Sequence, residues 1–177
     1  MLIGLLGYIG SGKGTAGTIL ADRGYTPVSF ASRVKDVVSA IFGWDRALLE
    51  GDTEESRVFR ETPDSYWSGV WGRPYTPREA LQKMGTEAGR TAFHKDLWVK
   101  ALIRDLKPTQ NYVITDVRFP NEIKAIYESG GVLIEISRGT PPEWYGEAYE
   151  TNRMDAWSGL LRVGLGWPSV SAQSCRQ

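Results

Sequence analysis

Apolar residues along this chain come in two textures, short continuous runs and longer stretches in which they recur every three or four positions. Leu2, Ile3, Gly4, Leu5 and Leu6 form a run suited to a strand buried on both faces, and Ala16, Ile19 and Leu20 then recur at helical spacing over 13–23 until Gly24. A second run at 27–31 leads into a helical face made by Val34, Val37, Val38 and Ile41, closed by Gly43. A third, 112–117, ends on a carboxylate at Asp116 and is followed by a helix over 121–128. Gly130 and Gly131 then turn the chain into a fourth run, 132–136. This alternation predicts the α/β class, a three-layer αβα sandwich around a mostly parallel sheet of roughly four or five strands with right-handed crossovers.

Between the second and third runs the texture changes. Residues 44–75 hold Trp44, Trp67, Trp71 and Tyr75 among charges, with a short helix expected after Asp52 that Glu55 would close as a capping box. Thr76, Pro77, Arg78 and Glu79 combine an N-cap, a first-turn proline and a Thr-x-x-Glu box, and Leu81, Met84 and Ala88 then share a helical face. A further helix over 96–107 turns Trp98, Ala101, Leu102 and Leu106 inward. The stretch 44–95 therefore reads as an excursion from the sheet that covers a site. From about 142 the pattern weakens, with 160–165 a short edge strand and the last residues frayed.

At 177 residues and 41% hydrophobic content, without repeat or low-complexity linker, the chain is expected to form a single domain over 1–177. Lys plus Arg and Asp plus Glu both number 21, which argues against a protein that coats polymeric nucleic acid but leaves room for local arginine clusters that bind a small polyphosphate. The single Cys175 excludes an internal disulfide and a multi-cysteine zinc site and fits a reducing cytoplasm. A first strand at Leu2 leaves no room for a signal peptide, and no apolar run reaches membrane-spanning length, so no membrane partner is expected.

The turn between the first run and the first helix carries the chemistry. Gly7-Tyr8-Ile9-Gly10-Ser11-Gly12-Lys13-Gly14-Thr15 places glycines where backbone N–H groups can approach phosphate oxygens, Lys13 as a mobile cation, and a helix N-terminus behind them. Gly14 stands where a hydroxyl commonly follows the lysine, and Thr15 supplies one a position later as a magnesium ligand. In open parallel sheets ligands sit at the carboxyl ends of the strands, so Gly10, Ser11, Gly12, Lys13, Gly14 and Thr15, the residues after the second run, and those from Asp116 to Asn121 are expected in one crevice. Asp116 is a candidate magnesium carboxylate, and Arg118 a candidate clamp on a transferring phosphoryl group, or else its salt-bridge partner.

The loop, together with Thr76-Pro77-Arg78-Glu79-Ala80-Leu81-Gln82-Lys83-Met84-Gly85-Thr86-Glu87-Ala88-Gly89-Arg90 and Thr115-Asp116-Val117-Arg118-Phe119-Pro120-Asn121-Glu122, resembles the phage deoxynucleoside monophosphate kinases. The resemblance reaches over residues 1 to about 138. It implies a P-loop kinase fold, ATP with magnesium as phosphoryl donor and a deoxynucleoside monophosphate as acceptor. It also implies a place in a host cytoplasm if phage-encoded. By motif position Lys35, Arg78, Gln82 and Arg90 fall on the acceptor side, and Arg138 is a candidate for stacking on the donor adenine.

Two other readings stand beside this one. A dephospho-coenzyme A kinase shares the plan but phosphorylates a hydroxyl, which benefits from a general base; here Phe30, Ala31, Ser32 and Arg33 follow the second run, with no acid until Asp36. A phosphate monoester, whose second ionisation lies near ~6, is already nucleophilic and needs positive charge, for which Arg33, Lys35, Arg78, Arg90 and Arg118 are candidates. The third reading is a nucleotide-binding regulatory protein without turnover. The lone His94 suits capping, and Arg57 and Arg60 suit a solvated salt-bridged face. The sequence leaves base preference open, and equally a homodimer.

Overall fold

The computed structural model describes residues 1–8, 10–138 and 160–164, the last segment by its backbone. The chain divides into two compact units, Met1–Val28 with Lys107–Gln177, and Ser29–Leu106. The weakly patterned stretch from about 142, including Cys175, lies outside the described residues apart from one strand.

The first unit is built on a five-stranded sheet in the order β2-β3-β1-β4-β5. Its strands are β1 (Leu2–Leu6), β2 (Thr26–Val28), β3 (Tyr112–Ile114), β4 (Val132–Ser137) and β5 (Leu160–Gly164), and every pairing is parallel. Ile3 stands opposite Val113 on one side and Val132 on the other, which makes β1 the central strand. All five residues of β1 are buried, as a parallel strand covered on both faces requires. Alternation sorts them. Ile3 and Leu5 join Val113 and Ile136 against Ala16 and Leu20 of α1 (Lys13–Ala21). Gly4 faces the other way, where an added Cβ would stand 2.6 Å from Ile126 of α7 (Pro120–Glu128). The expected three layers are therefore present, with α1 and α7 on opposite faces, and β5 supplies the edge strand expected at 160–165.

The second unit is helical: α2 (Ser32–Phe42), α3 (Glu54–Glu61), α4 (Ser65–Trp71), α5 (Pro77–Lys83) and α6 (Leu97–Asp105), with a 3-10 turn Ala47–Leu49. Its core gathers Val34, Val38, Trp44, Leu49, Tyr75, Ala80 and Trp98. Phe42 stacks on Trp44 with centroids 4.6 Å apart, and Trp67 on Trp71 at 5.1 Å, so the aromatics of the excursion mostly pack on one another. Their polar atoms are satisfied locally. Trp44 Nε1 donates to Asp64 at 2.8 Å, while the other carboxylate oxygen of Asp64 caps α4 through Trp67 N.

Three local expectations change. The helix after Asp52 begins one residue later, with Thr53 as N-cap and Ser56, not Glu55, completing the box, because Thr53 offers the hydroxyl that reaches the third N–H. The third strand ends at Ile114, leaving Asp116 two residues beyond it. The third change is in the long helix begun by Thr76, which passes at Met84 into a ten-residue π-helix, Met84–Phe93. A widened turn places Gly85 and Gly89 against the ring of Trp98, whose Nε1 donates to Gly85 O at 2.9 Å. A Cβ at Gly89 would lie 2.4 Å from Trp98 Cζ2, and that ring is buried and rigid. Gly89→Ala is accordingly expected to cost about 1–3 kcal/mol in urea unfolding. Gly130→Ala, where an added Cβ meets nothing within 4 Å, reports the separate cost of a positive φ and provides the comparison.

Candidate active site

The loop after β1 is shaped by what surrounds it. Gly7 adopts φ 144° and lies so close to β4 that a Cβ there would meet Ile136 O at 2.3 Å. Gly17, one turn into α1, has the side chain of Thr115 at 2.9 Å from where its Cβ would be, so the helix lies directly against the end of β3. Gly12, at φ 105°, is the N-cap of α1, and the first turn carries no acidic residue. The positive end of the helix is thus uncompensated from within.

Lys13 turns back over the loop, and its ammonium donates to Gly7 O and Tyr8 O, each at 2.7 Å. Burial lowers its pKa from the ordinary value, and the guanidinium of Arg118 lowers it further. Among the described residues neither Lys13 nor Arg118 has a carboxylate ion-pair partner. Two cations that repel one another beside the start of a helix are an electropositive spot. Ser11 is 0% exposed, with its hydroxyl turned toward Gly7 and without a hydrogen-bond partner among the described residues, whereas Gly14 and Thr15 are exposed at the start of the helix. Asp116, half-buried, follows Thr115 and hence lies just beyond the contact with α1.

The donor set fits a hard divalent cation of the magnesium kind. Thr15 offers a hydroxyl and Asp116 a carboxylate, and no group of three or more His, Cys, Asp or Glu is assembled among the described residues. One or two protein oxygens, completed by phosphate oxygens and water, is the usual arrangement for that ion.

Arg138 stands just past β4 and is exposed, as expected, but its backbone is held by a residue that the sequence did not single out. The hydroxyl of the buried Tyr8 accepts from Arg138 N at 2.8 Å and donates to Arg138 O. Tyr8 occupies a variable position of the loop pattern, which left no signal for it.

In the second unit the expected acceptor-side cations are each engaged. Arg33 pairs with Asp105 and, at 3.3 Å, with Asp36; Lys35 pairs with Glu50; Arg78 pairs with Glu61. Gln82 is exposed on α5 and Arg90 half-buried in the π-helix. Glu50, missed in the sequence, also takes Arg46; burial opposes its ionisation, and the bonds from Lys35 and Arg46 outweigh it, holding the carboxyl below the usual range. Asp105 is held at about 2 by Arg104 and Arg33. His94 is exposed and accepts from Asp96 N at 3.1 Å, closing the turn that leads into α6.

An all-parallel sheet in which a glycine loop and lysine join the central strand to a helix defines a P-loop kinase fold. No family model matches the chain. An Acanthamoeba polyphaga mimivirus protein named "Putative deoxynucleotide monophosphate kinase" is 38% identical over 152 residues, 78% of this chain and 74% of that protein. The deoxynucleoside-5'-monophosphate kinase of Escherichia phage T5 is 38% identical over 63 residues, 34% of this chain and 25% of its own length. The chain belongs to the deoxynucleoside monophosphate kinase family. No helix among the described residues is long and apolar enough to cross a membrane.

The lowered pKa of Lys13 has a definite sign. Between its folded pKa and the ordinary 10.5, the unfolded chain holds a proton that the folded chain has lost, so this residue's contribution makes stability rise with pH across that window. A phosphate placed against Lys13 would oppose the shift. In ¹³C-methylated protein, Lys13 is expected to titrate before the exposed lysines and to move upward with ATP; titration together with the exposed lysines would contradict it.

Proposed function

We propose that this enzyme transfers the γ-phosphoryl group of ATP to the phosphate of a deoxynucleoside monophosphate, with the glycine loop as donor seat and the cations of the second unit receiving the acceptor. The observation that carries the reading is the pair Lys13 and Arg118, without a carboxylate partner among the described residues, beside an α1 N-terminus whose first turn has no acidic residue. The charge missing there is what a nucleotide's terminal phosphates bring.

In this reading the N–H groups of Gly10, Gly12, Gly14 and Thr15 point at the β- and γ-phosphates, while that of Ser11 donates to Tyr8 O at 3.2 Å and keeps the loop closed, and Lys13 exchanges two carbonyls for phosphate oxygens. Arg118 offsets charge on the transferring group. Thr15 and Asp116 would hold Mg²⁺, which when bound would neutralise charge on the phosphates. Arg138 stacks on the adenine, placed by the hold of Tyr8 on its backbone. Arg33, Lys35, Arg78 and Arg90 bind the acceptor phosphate and Gln82 its nucleoside, displacing the carboxylates that now pair Arg33, Lys35 and Arg78. The Arg33 and Arg78 pairs are exposed or half-exposed, and bonds of that kind contribute only about 0–1 kcal/mol each, so a dianion can replace them, whereas Lys35 is more buried in its pair with Glu50.

A hydroxyl acceptor, as in dephospho-coenzyme A, needs a base after β2. The first acid there, Asp36, is committed to Arg46 at 2.8 Å and to Arg33. A phosphate acceptor needs none, because its second ionisation lies near ~6 and it attacks as the dianion at neutral pH.

ADP release is to be measured across the four deoxynucleoside monophosphates and dephospho-coenzyme A. Turnover is expected on one or more of the deoxynucleotides and to fall by at least ~100-fold in Lys13→Ala. Lys35→Ala is expected to raise the KM for the acceptor about tenfold while that for ATP stays within twofold. Turnover on dephospho-coenzyme A alone would overturn the acceptor assignment.

A further inference from the structure

Helix α7 starts without a capping side chain of the ordinary kind. Its N-cap is Phe119, which has no acceptor to offer, and its first residue is Pro120, which has no N–H. The amides left over at this corner are those of Arg118 and Phe119, and both are taken by one atom. Oε2 of Glu122 accepts from Arg118 N at 2.8 Å and from Phe119 N at 3.0 Å.

Glu122 is only 2% exposed, although carboxylates are costly to bury. Two charge-assisted bonds and the positive end of α7 offset that cost. The tie also closes a short circuit. Val117 before the turn and Ile123 after it are each 1% exposed in the core, so the stretch between them is fixed at both ends by packing and across its middle by Glu122. Arg118 itself is exposed and lacks a carboxylate partner among the described residues, so its side chain is not oriented by an ion pair. What is fixed is the backbone from which it projects.

We infer that Glu122 is a positioning residue for the reaction, which holds the turn at residues 116–119 so that Arg118 projects toward the phosphate seat. It acts through hydrogen-bond reach and not through its charge on substrate, and the inference rests on the role given above to Arg118. A displacement of about 1 Å in such a group can cost on the order of 100-fold in rate.

Two substitutions separate reach from charge. Glu122→Gln keeps the length and an acceptor oxygen for both amides while losing the charge; Glu122→Asp keeps the charge but is one methylene too short. With each variant assayed well below its melting midpoint, Glu122→Gln is expected to retain kcat within about threefold. Glu122→Asp is expected to lose about tenfold or more in kcat, with both KM values within about threefold. In an Arg118→Ala background Glu122→Asp should cost little further, because the two act as one unit. A Glu122→Asp enzyme as active as the native one, or more active than Glu122→Gln, would overturn the inference, as would losses that multiply in the double variant. Full activity in Arg118→Ala alone would instead remove the role of Arg118, and this inference with it.

Discussion

The turn from β1 into α1 has to pass between the ends of two neighbouring strands, and at both walls there is no room for a side chain. Gly7 has the carbonyl of Ile136 against it, and Gly17 has the methyl of Thr115. Packing that close gives the loop little freedom, because the sheet on either side is buried and cannot yield. Everything at the donor end follows from this confinement. The α1 N-terminus stands next to the carboxyl ends of β1 and β3, Lys13 folds over the loop onto Gly7 and Tyr8, and the residues after β3 that bring Asp116 and Arg118 leave from the same place.

Charge is arranged differently in the two units. In the sheet unit, Lys13 and Arg118 repel each other without a carboxylate between them among the described residues, a state that costs free energy and that a bound anion would relieve. In the helical unit Arg33, Lys35 and Arg78 are paired with its own acids, Asp105, Glu50 and Glu61. Under the function proposed above, such an arrangement suits a donor that should bind tightly and an acceptor that should exchange. Exposed ion pairs are weak enough to be replaced by a dianionic phosphate, and they keep the cations from attracting indiscriminate anions meanwhile.

Most of the sheet unit was legible in the sequence, because a strand buried on both faces leaves a continuous apolar run and the glycines around the loop mark steric limits that only glycine meets. The helical unit was legible as elements and less so in detail. Thr76 and Pro77 announced their helix, but nothing in a period of three to four residues distinguishes an α-helix from the π-helix that follows Lys83 and packs on the ring of Trp98 from the next helix, α6. The site residues with a motif or a charge were visible. Those acting by a single hydroxyl or carboxylate across a long separation, Tyr8 on Arg138 and Glu50 on Lys35, were not, since tertiary pairing leaves no local spacing.

The central claim is that Lys13 on the loop and Arg118 beyond β3, which have no carboxylate partner among the described residues, are the seat of the donor's phosphates, and a structure with bound ADP tests it most directly. The account predicts the β-phosphate within hydrogen-bond distance of Lys13 Nζ and of the amides at the start of α1, with Lys13 released from Gly7 O and Tyr8 O. Phosphates bound elsewhere, or Lys13 still resting on both carbonyls, would contradict it.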